Sequence, residues 1–186
     1  MSNTQRRVRA RRLPAHAPRA SEYPVEMQPG VPSWDEYFLE ICRTVSRRSK
    51  DPNTKLGAVV VGPAHEIRAT GYNSLVRGIR DDLPERLVRP EKYLWMEHAE
   101  RNAIYNAARH GVQMEGCSLY VELLPCMDCA RAIVQAGIRE VVVDGSRVRQ
   151  YWSEQYTPHF EHMRTMFREA RITLRSVPPI EEIAGE

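Results

Sequence analysis

The sequence predicts an α/β fold in which helices cover both faces of a central sheet. Segments with apolar residues at helical spacing alternate along the chain with short runs of β-branched residues, and glycines or prolines separate them. The resulting order of elements is α-β-β-α-β-α-β-α-β, which supplies five strands. With 186 residues, of which 42% are hydrophobic, the chain is long enough for one domain with a substantial core.

The individual elements follow from capping patterns and periodicity. The first predicted helix begins after Ser33, because Ser33-Trp34-Asp35-Glu36 has the capping-box pattern. Cys42 lies on the apolar side of this helix and is therefore predicted to belong to the core. The polar stretch 74–92 is predicted to be a loop that is functional or mobile. The other predicted elements are strands over 56–61 and 67–72, a helix over 99–110, a strand over 118–122, a helix over 126–136, a strand over 140–143, a helix over 159–170 and a strand over 172–174.

Charge is distributed unevenly between the N-terminal segment and the rest of the chain. Residues 1–21 contain six arginines and no acidic residue, which leaves 21 basic and 24 acidic residues in the remainder. Because five prolines accompany the arginines, we expect a flexible tail over 1–32, in preference to a transit peptide or a nucleic-acid arm. The second predicted unit is a folded domain over 33–186, to which the chemical motifs described below belong. Its mildly acidic composition is not typical of a protein that binds nucleic acid.

Apolar runs and cysteine content limit the class of protein further. No apolar run approaches the roughly 18 residues that a membrane span needs, and no apolar signal segment follows the N-terminus. The sequence therefore predicts a soluble cytoplasmic protein. Its four cysteines are too few for a disulfide scaffold, and the one C-x-x-C pair is more typical of a metal or redox site.

Two short motifs carry the strongest chemical signal. His98-Ala99-Glu100 is followed, 28 residues after His98, by Cys126 in the motif Pro125-Cys126-Met127-Asp128-Cys129. One imidazole and two thiolates give three ligands for Zn²⁺ and leave the fourth tetrahedral position open, as in catalytic sites. Each motif lies at the start of a predicted helix, where the partial positive charge favours thiolates. Glu100, two residues from a ligand, can face a water molecule instead of the metal.

Each part of this pattern has an ordinary alternative explanation. A C-x-x-C pair alone is compatible with a redox site, and a histidine in a helix is usually a surface or core residue. Glu100 could simply be an acidic residue in a first helical turn. A redox pair, however, needs no H-x-E upstream, and the two motifs together favour a catalytic zinc site.

The combination H-x-E…P-C-x-x-C is the signature of zinc-dependent nucleobase deaminases. Further motifs are Arg48-Ser49-Lys50-Asp51-Pro52-Asn53, Gly71-Tyr72-Asn73, Lys92-Tyr93, the segment 98–104 and the long stretch 116–143. With these residues, the chain from Trp34 to about Ser176 resembles the cytidine deaminase superfamily, and within it the deoxycytidylate (dCMP) deaminases. The resemblance implies a three-layer αβα fold with a five-stranded mixed sheet.

The resemblance also implies a reaction and the roles of several residues. The reaction is hydrolytic deamination of dCMP to dUMP with release of ammonia. Glu100 would take a proton from the attacking water, deliver it to N3 of cytosine and then protonate the departing ammonia. The backbone N–H of Cys126 would stabilise the negative charge that develops on the attacking oxygen. Asn73 would contact the sugar or base, and the backbone of Ala99 would contact the cytosine edge.

The sequence is less specific about the substrate and the assembly than about the metal site. Arg48, Lys50 and Asn53 are candidates for binding the substrate phosphate, although an ordinary charged turn explains them equally well. Glu97 adds negative charge beside His98, which does not favour a phosphorylated substrate. The alternative substrates are therefore another nucleoside, nucleobase or modified nucleotide, or less readily a base in RNA or DNA. The family resemblance implies a homo-oligomer. A zinc-stabilised binding module that is not an enzyme is the least favoured alternative.

Overall fold

The structure is a computed structural model that describes residues 30–151 and 157–180. The segment predicted to be a flexible tail, 1–32, therefore falls almost entirely outside the described residues, and its flexibility stays a prediction. The strands are β1 (Gly57–Val61), β2 (Ile67–Tyr72), β3 (Ser74–Leu75), β4 (Met96–Glu97), β5 (Ser118–Val121), β6 (Glu140–Asp144) and β7 (Thr173–Val177). The helices are α1 (Trp34–Ser46), α2 (Lys92–Trp95), α3 (Ala99–Arg109), α4 (Met127–Gln135), α5 (Gly145–Tyr151) and α6 (Thr157–Glu169).

The central sheet has five strands in the order β2-β1-β5-β6-β7. β1 runs antiparallel to both β2 and β5, whereas β5, β6 and β7 are parallel to one another. The α/β class and the five-stranded mixed sheet predicted from the sequence are thus confirmed. Among the described residues, no helix is both long enough and apolar enough to cross a membrane.

Helices cover the two faces of the sheet with separate sets of apolar side chains. On one face, Phe38, Leu39 and Cys42 of α1 are buried against alternate side chains of the strands, including Val59 and Val61. The larger core lies on the other face, where apolar residues of α3, α4 and α6 pack on the sheet. The capping box at the start of α1 forms as predicted, because Ser33 Oγ accepts from the Glu36 backbone and the Glu36 carboxylate accepts from the Ser33 backbone.

The prediction of an unbroken loop over 74–92 is wrong. This stretch contains β3 and a 3-10 turn at Pro84–Leu87, and its last residue begins α2. β3 pairs with β4 as a second, two-stranded sheet, with Ser74 opposite Glu97 and Leu75 opposite Met96. Strands of two residues are too short to show an alternating pattern, so no periodicity indicates them. The short helix α5 was not predicted either, because its seven residues, GSRVRQY, are too few to show a helical period.

Close packing of α3 on β2 fixes the position of the first motif. A Cβ atom at Gly71 of β2 would collide with the backbone of Ala99 and Ala103, so the missing side chain lets the helix lie directly on the strand. The side-chain amides of Asn102 and Asn106 donate to the carbonyl oxygens of Tyr72 and Thr70 at 2.8 and 2.7 Å. These contacts hold α3 against β2, which is an edge strand of the sheet.

Candidate metal centre and active site

The structure brings His98, Cys126 and Cys129 together. His98 Nδ1 lies 3.5 Å from the Sγ atom of each cysteine, and the three candidate ligand atoms lie within 4.8 Å of one another. Across the described ranges, 30–151 and 157–180, this is the one such group of three potential ligands. The proximity that the two motifs predicted is therefore present in the fold.

Two helix N-termini produce this convergence. His98 is the N-cap of α3 and Cys126 is the N-cap of α4, and both have extended backbone angles. Cys129 follows in the first turn of α4. Hydrogen bonds from Cys129 and His98 lower the pKa of the Cys126 thiol to about 3. Cys126 is therefore favoured as a thiolate, the form that binds metals.

The donor set fits a zinc ion. Zinc in proteins is bound by imidazole nitrogen and thiolate sulfur at about 2.0–2.3 Å in a tetrahedral arrangement. In this geometry a nitrogen ligand and a sulfur ligand of the same ion lie about 3.5 Å apart. The distances from His98 Nδ1 to Cys126 Sγ and to Cys129 Sγ both have this value. Three protein ligands also leave one tetrahedral position for a small molecule, as in catalytic zinc sites.

Glu100 lies beside these residues on the buried side of the cluster. Only 4% of its surface is exposed, and Cys129 is fully buried, whereas His98 and Cys126 are partly exposed. The cluster is therefore open to solvent on the side of the two N-cap residues. Burial raises the pKa of the Glu100 carboxyl above its ordinary value, and nearby His98 opposes that shift.

A chain of charges that the sequence reasoning missed connects the two helix starts. The carboxylate of Glu97 accepts a hydrogen bond from the His98 backbone N–H at 3.1 Å and forms an ion pair with Arg101. Arg101 also lies 3.6 Å from the carboxylate of Asp128, a residue that stands between Cys126 and Cys129 in the sequence. The negative charge of Glu97 is thus paired with a guanidinium. The signal that could have revealed the pair is its i,i+4 spacing at the start of a helix.

Asn73 and Ala99, both predicted to contact the substrate, are buried. Asn73 Oδ1 accepts from the Leu56 backbone, and Nδ2 donates to the Thr54 carbonyl, each at 2.8 Å. The Asn73 amide therefore orders the segment between α1 and β1. Its contact with a substrate, like that of the Ala99 backbone, stays a prediction.

The structure divides the three residues predicted to bind phosphate. Arg48 and Lys50 line a cavity of about 220 Å³ beside β2, whereas Asn53 does not. Lys50 also forms an exposed ion pair with Asp81 at 2.7 Å. The lining of the cavity includes Met96, two residues before His98, but none of the three metal-ligand candidates. Phosphate binding by these residues stays a prediction.

Comparison with known proteins identifies the family. The family model described as the cytidine and deoxycytidylate deaminase zinc-binding region matches residues 32–144, more than half of the chain. The chain belongs to this deaminase family. Human deoxycytidylate deaminase is 38% identical over 153 residues, which cover 78% of this chain and 80% of the human protein. ComE operon protein 2 of Bacillus subtilis is 32% identical over 146 residues, which cover 78% of this chain and 71% of that protein.

A solved structure of a dCMP deaminase agrees with the fold. The dCMP deaminase of the cyanophage S-TIM5, in complex with dCMP and dUMP, matches with a TM-score of 0.61. The match covers 78% of this chain and 98% of the phage chain, at 23% identity. At this level of identity the likeness supports the deaminase fold, which the sequence motifs had predicted.

Proposed function

We propose that this protein is a zinc-dependent hydrolase that converts dCMP to dUMP and releases ammonia. The observation that carries the proposal is the convergence of His98, Cys126 and Cys129 beside the buried carboxylate of Glu100. The 38% identity to human deoxycytidylate deaminase, over 80% of that protein, supports dCMP as the substrate.

The three-residue cluster supplies the proposed metal site. His98 Nδ1 and the Sγ atoms of Cys126 and Cys129 are the groups that would hold Zn²⁺. A bound zinc ion would supply a Lewis acid that allows a water molecule to lose a proton near neutral pH. The polar contacts around the cluster, including the hydrogen bond from the His98 N–H to Glu97, would keep the ligands in place.

Glu100 is the proposed general acid and base. Its carboxylate takes a proton from water as a C–O bond forms at C4 of cytosine, and it delivers this proton to N3. It then takes the remaining water proton from the new C4 hydroxyl and transfers it to the amino group, so that the C4–N bond breaks, a C4 carbonyl forms and ammonia leaves. The nearly complete burial of Glu100 keeps bulk water from this proton.

Backbone groups and nearby polar residues would orient the base and the rest of the nucleotide. The N–H of Cys126 is the proposed donor to the oxygen on which charge builds, because it lies at the start of α4. The Ala99 backbone would contact the cytosine edge, and Asn73 the sugar or base. Arg48 and Lys50 are proposed to bind the phosphate, and their place in one cavity supports this pairing.

The proposals for assembly and location depend on sequence resemblance and composition. A homo-oligomer located in the cytoplasm is proposed from the family resemblance and the absence of apolar runs in the sequence. The pairing of Glu97 with Arg101 reduces the negative charge beside His98, which removes one reason to prefer a substrate without a phosphate.

The test is ammonia release by the zinc-loaded protein with dCMP, CMP, deoxycytidine, cytosine, guanine, adenosine and a short single-stranded oligonucleotide. We expect dCMP to have the highest kcat/KM. The variant Glu100→Gln should keep the fold and the zinc content but lose about 10²- to 10⁴-fold in kcat. The exposed Glu85→Gln substitution is the control and should leave kcat unchanged. Wild-type turnover by Glu100→Gln would remove Glu100 from the mechanism, and preference for another compound would replace dCMP as the substrate.

A further inference from the structure

Lys92 and Asp51 form a buried ion pair outside the metal cluster. Lys92 Nζ lies 2.7 Å from Asp51 Oδ2, and the two side chains are only 7% and 4% exposed. Withdrawing two charges from water is unfavourable, and apolar side chains of similar size are often as stable at such positions. A gain in folding stability is therefore a poor explanation for this pair, and its neighbours indicate another role.

Asp51 is the centre of a hydrogen-bonded hub. Its Oδ1 accepts from the backbone N–H groups of Asn53 and Thr54 at 2.8 and 3.2 Å. Its Oδ2 accepts from Lys92 Nζ at 2.7 Å and from Asn73 Nδ2 at 3.4 Å. One carboxylate thus joins the segment after α1, the residue after β2 and the first residue of α2.

Asn73 and Ser49 complete this hub. Ser49 Oγ donates to the Asn73 carbonyl at 2.7 Å and accepts from the Asp51 backbone N–H at 3.2 Å. The Asn73 side chain binds the backbone of Thr54 and Leu56. Among the described residues, no buried side-chain nitrogen or oxygen lacks a hydrogen-bond partner. The hub is therefore a satisfied polar network, which is the kind that rigidifies a structure.

Lys92 connects this hub to the metal cluster through a short segment. α2 begins at Lys92, β4 follows directly, and His98 is the next residue. β4 also pairs with β3, which begins immediately after Asn73. The segment that leads into His98 is consequently held at two points, at Lys92 by Asp51 and along β4 by β3.

We propose that Lys92 and Asp51 are positioning residues for substrate binding. This role rests on the deaminase function proposed above. The ion pair holds Asn73 and the segment 50–56 at a fixed distance from His98. Lys50, a candidate phosphate contact, lies next to Asp51, and Asn73 is a candidate sugar or base contact. Glu100 lies in α3, Cys129 lies in α4 and Cys126 is the N-cap of α4, and neither Lys92 nor Asp51 belongs to the apolar core through which these helices pack on the sheet.

The test compares Lys92→Met with the double variant Lys92→Met/Asp51→Asn. The single variant leaves a buried carboxylate without its cation, so we expect a lower Tm and a KM raised about tenfold, with kcat within about threefold of wild type. The double variant removes the unpaired charge but keeps the Oδ1 acceptor, so its Tm should recover while KM stays raised. Arg139→Met removes an exposed ion pair with Glu115 and serves as the control, with KM and kcat unchanged.

Zinc content is measured for every variant, and it should equal that of the wild type. Kinetics are measured with whichever compound of the panel the wild type deaminates, so the test survives if dCMP is not the substrate. An unchanged KM in a folded Lys92→Met protein would overturn the proposal. So would a double variant in which KM recovers together with Tm, because the pair would then act only on folding.

Discussion

Gly71→Ala tests whether close packing of α3 on β2 sets the position of Glu100. A Cβ atom at this position would collide with the carbonyl oxygen of Ala99 and the backbone nitrogen of Ala103. Backbone atoms cannot rotate away as a side chain can, so the helix itself must move. Restoring ordinary van der Waals separation requires a displacement of about 1 Å.

The magnitude of the effect follows from this displacement. Overpacking a tight interface costs about 1–3 kcal/mol, and replacing glycine by alanine within a strand offsets about 0.5–1 kcal/mol. We therefore expect Gly71→Ala to lower the free energy of unfolding by about 0.5–2 kcal/mol. Glu100 moves with α3, and a misplacement of about 1 Å in a catalytic group can cost about 100-fold in rate. The expected loss in kcat is about 10- to 100-fold.

Urea unfolding and steady-state kinetics with dCMP measure the two effects separately. Gly116→Ala is the control because a Cβ atom there meets no heavy atom within 4 Å, although Gly116 has a φ of +76°. That left-handed conformation should cost an alanine about 1–2 kcal/mol. Gly116 precedes β5 whereas Cys126 follows it, so kcat should be unchanged. A Gly71→Ala variant with kcat within about twofold of wild type would refute the reasoning, as would an equal kcat loss in Gly116→Ala.

Two further predictions concern the metal and pH. Arg101→Met should weaken zinc binding about 10- to 100-fold in chelator competition, because Arg101 orders the Glu97 carboxylate that binds the His98 backbone. Arg131→Met, which removes an exposed guanidinium from α4, should change zinc affinity by less than about threefold; equal losses in the two variants would contradict this role. Hydrogen bonding by Arg175 lowers the pKa of Asp35 in the folded protein, so the Asp35 carboxylate stabilises the fold above its unfolded pKa of about 3.9. That contribution is lost as the pH falls through the lowered folded pKa. Urea unfolding between pH 3 and pH 7 should therefore show a weaker pH dependence in Arg175→Met than in the wild type, and an unchanged dependence would argue against the pairing.

The metal cluster could be predicted because its signals are local. His98 and Cys126 each stand at a helix start, and a helix start places its N-cap residue and first turn in a fixed relation. The open question was whether the two starts meet, and the residue types answered it, since an imidazole and two thiolates suit one metal. The strands and long helices were also predictable, because each shows a period of 2 or 3.6 residues over several positions.

The Lys92–Asp51 pair could not be predicted, because burial of charges is a tertiary property. The two residues are 41 positions apart, and each lies among other charged residues that are exposed. The sequence around Asp51 is equally compatible with a solvated turn, which is the usual place for such residues. The pairing depends on α2, and α2 lies where the sequence predicted the end of a loop. Because the four-residue helix α2 was not predicted, the contact of Lys92 with the hub could not be predicted either.

Different parts of the site are held by different devices, so their mutations should affect different parameters. Packing on β2 fixes α3, and a change at Gly71 should therefore affect kcat through Glu100. The ion pair at Lys92 fixes the segments around Asn73, and its loss should affect KM. Arg101 connects the starts of α3 and α4, so its removal should affect zinc affinity. Because these contacts involve different neighbours, the variants should be nearly additive in free energy, and strong coupling between Gly71→Ala and Lys92→Met would mean that α3 and the hub move as one unit.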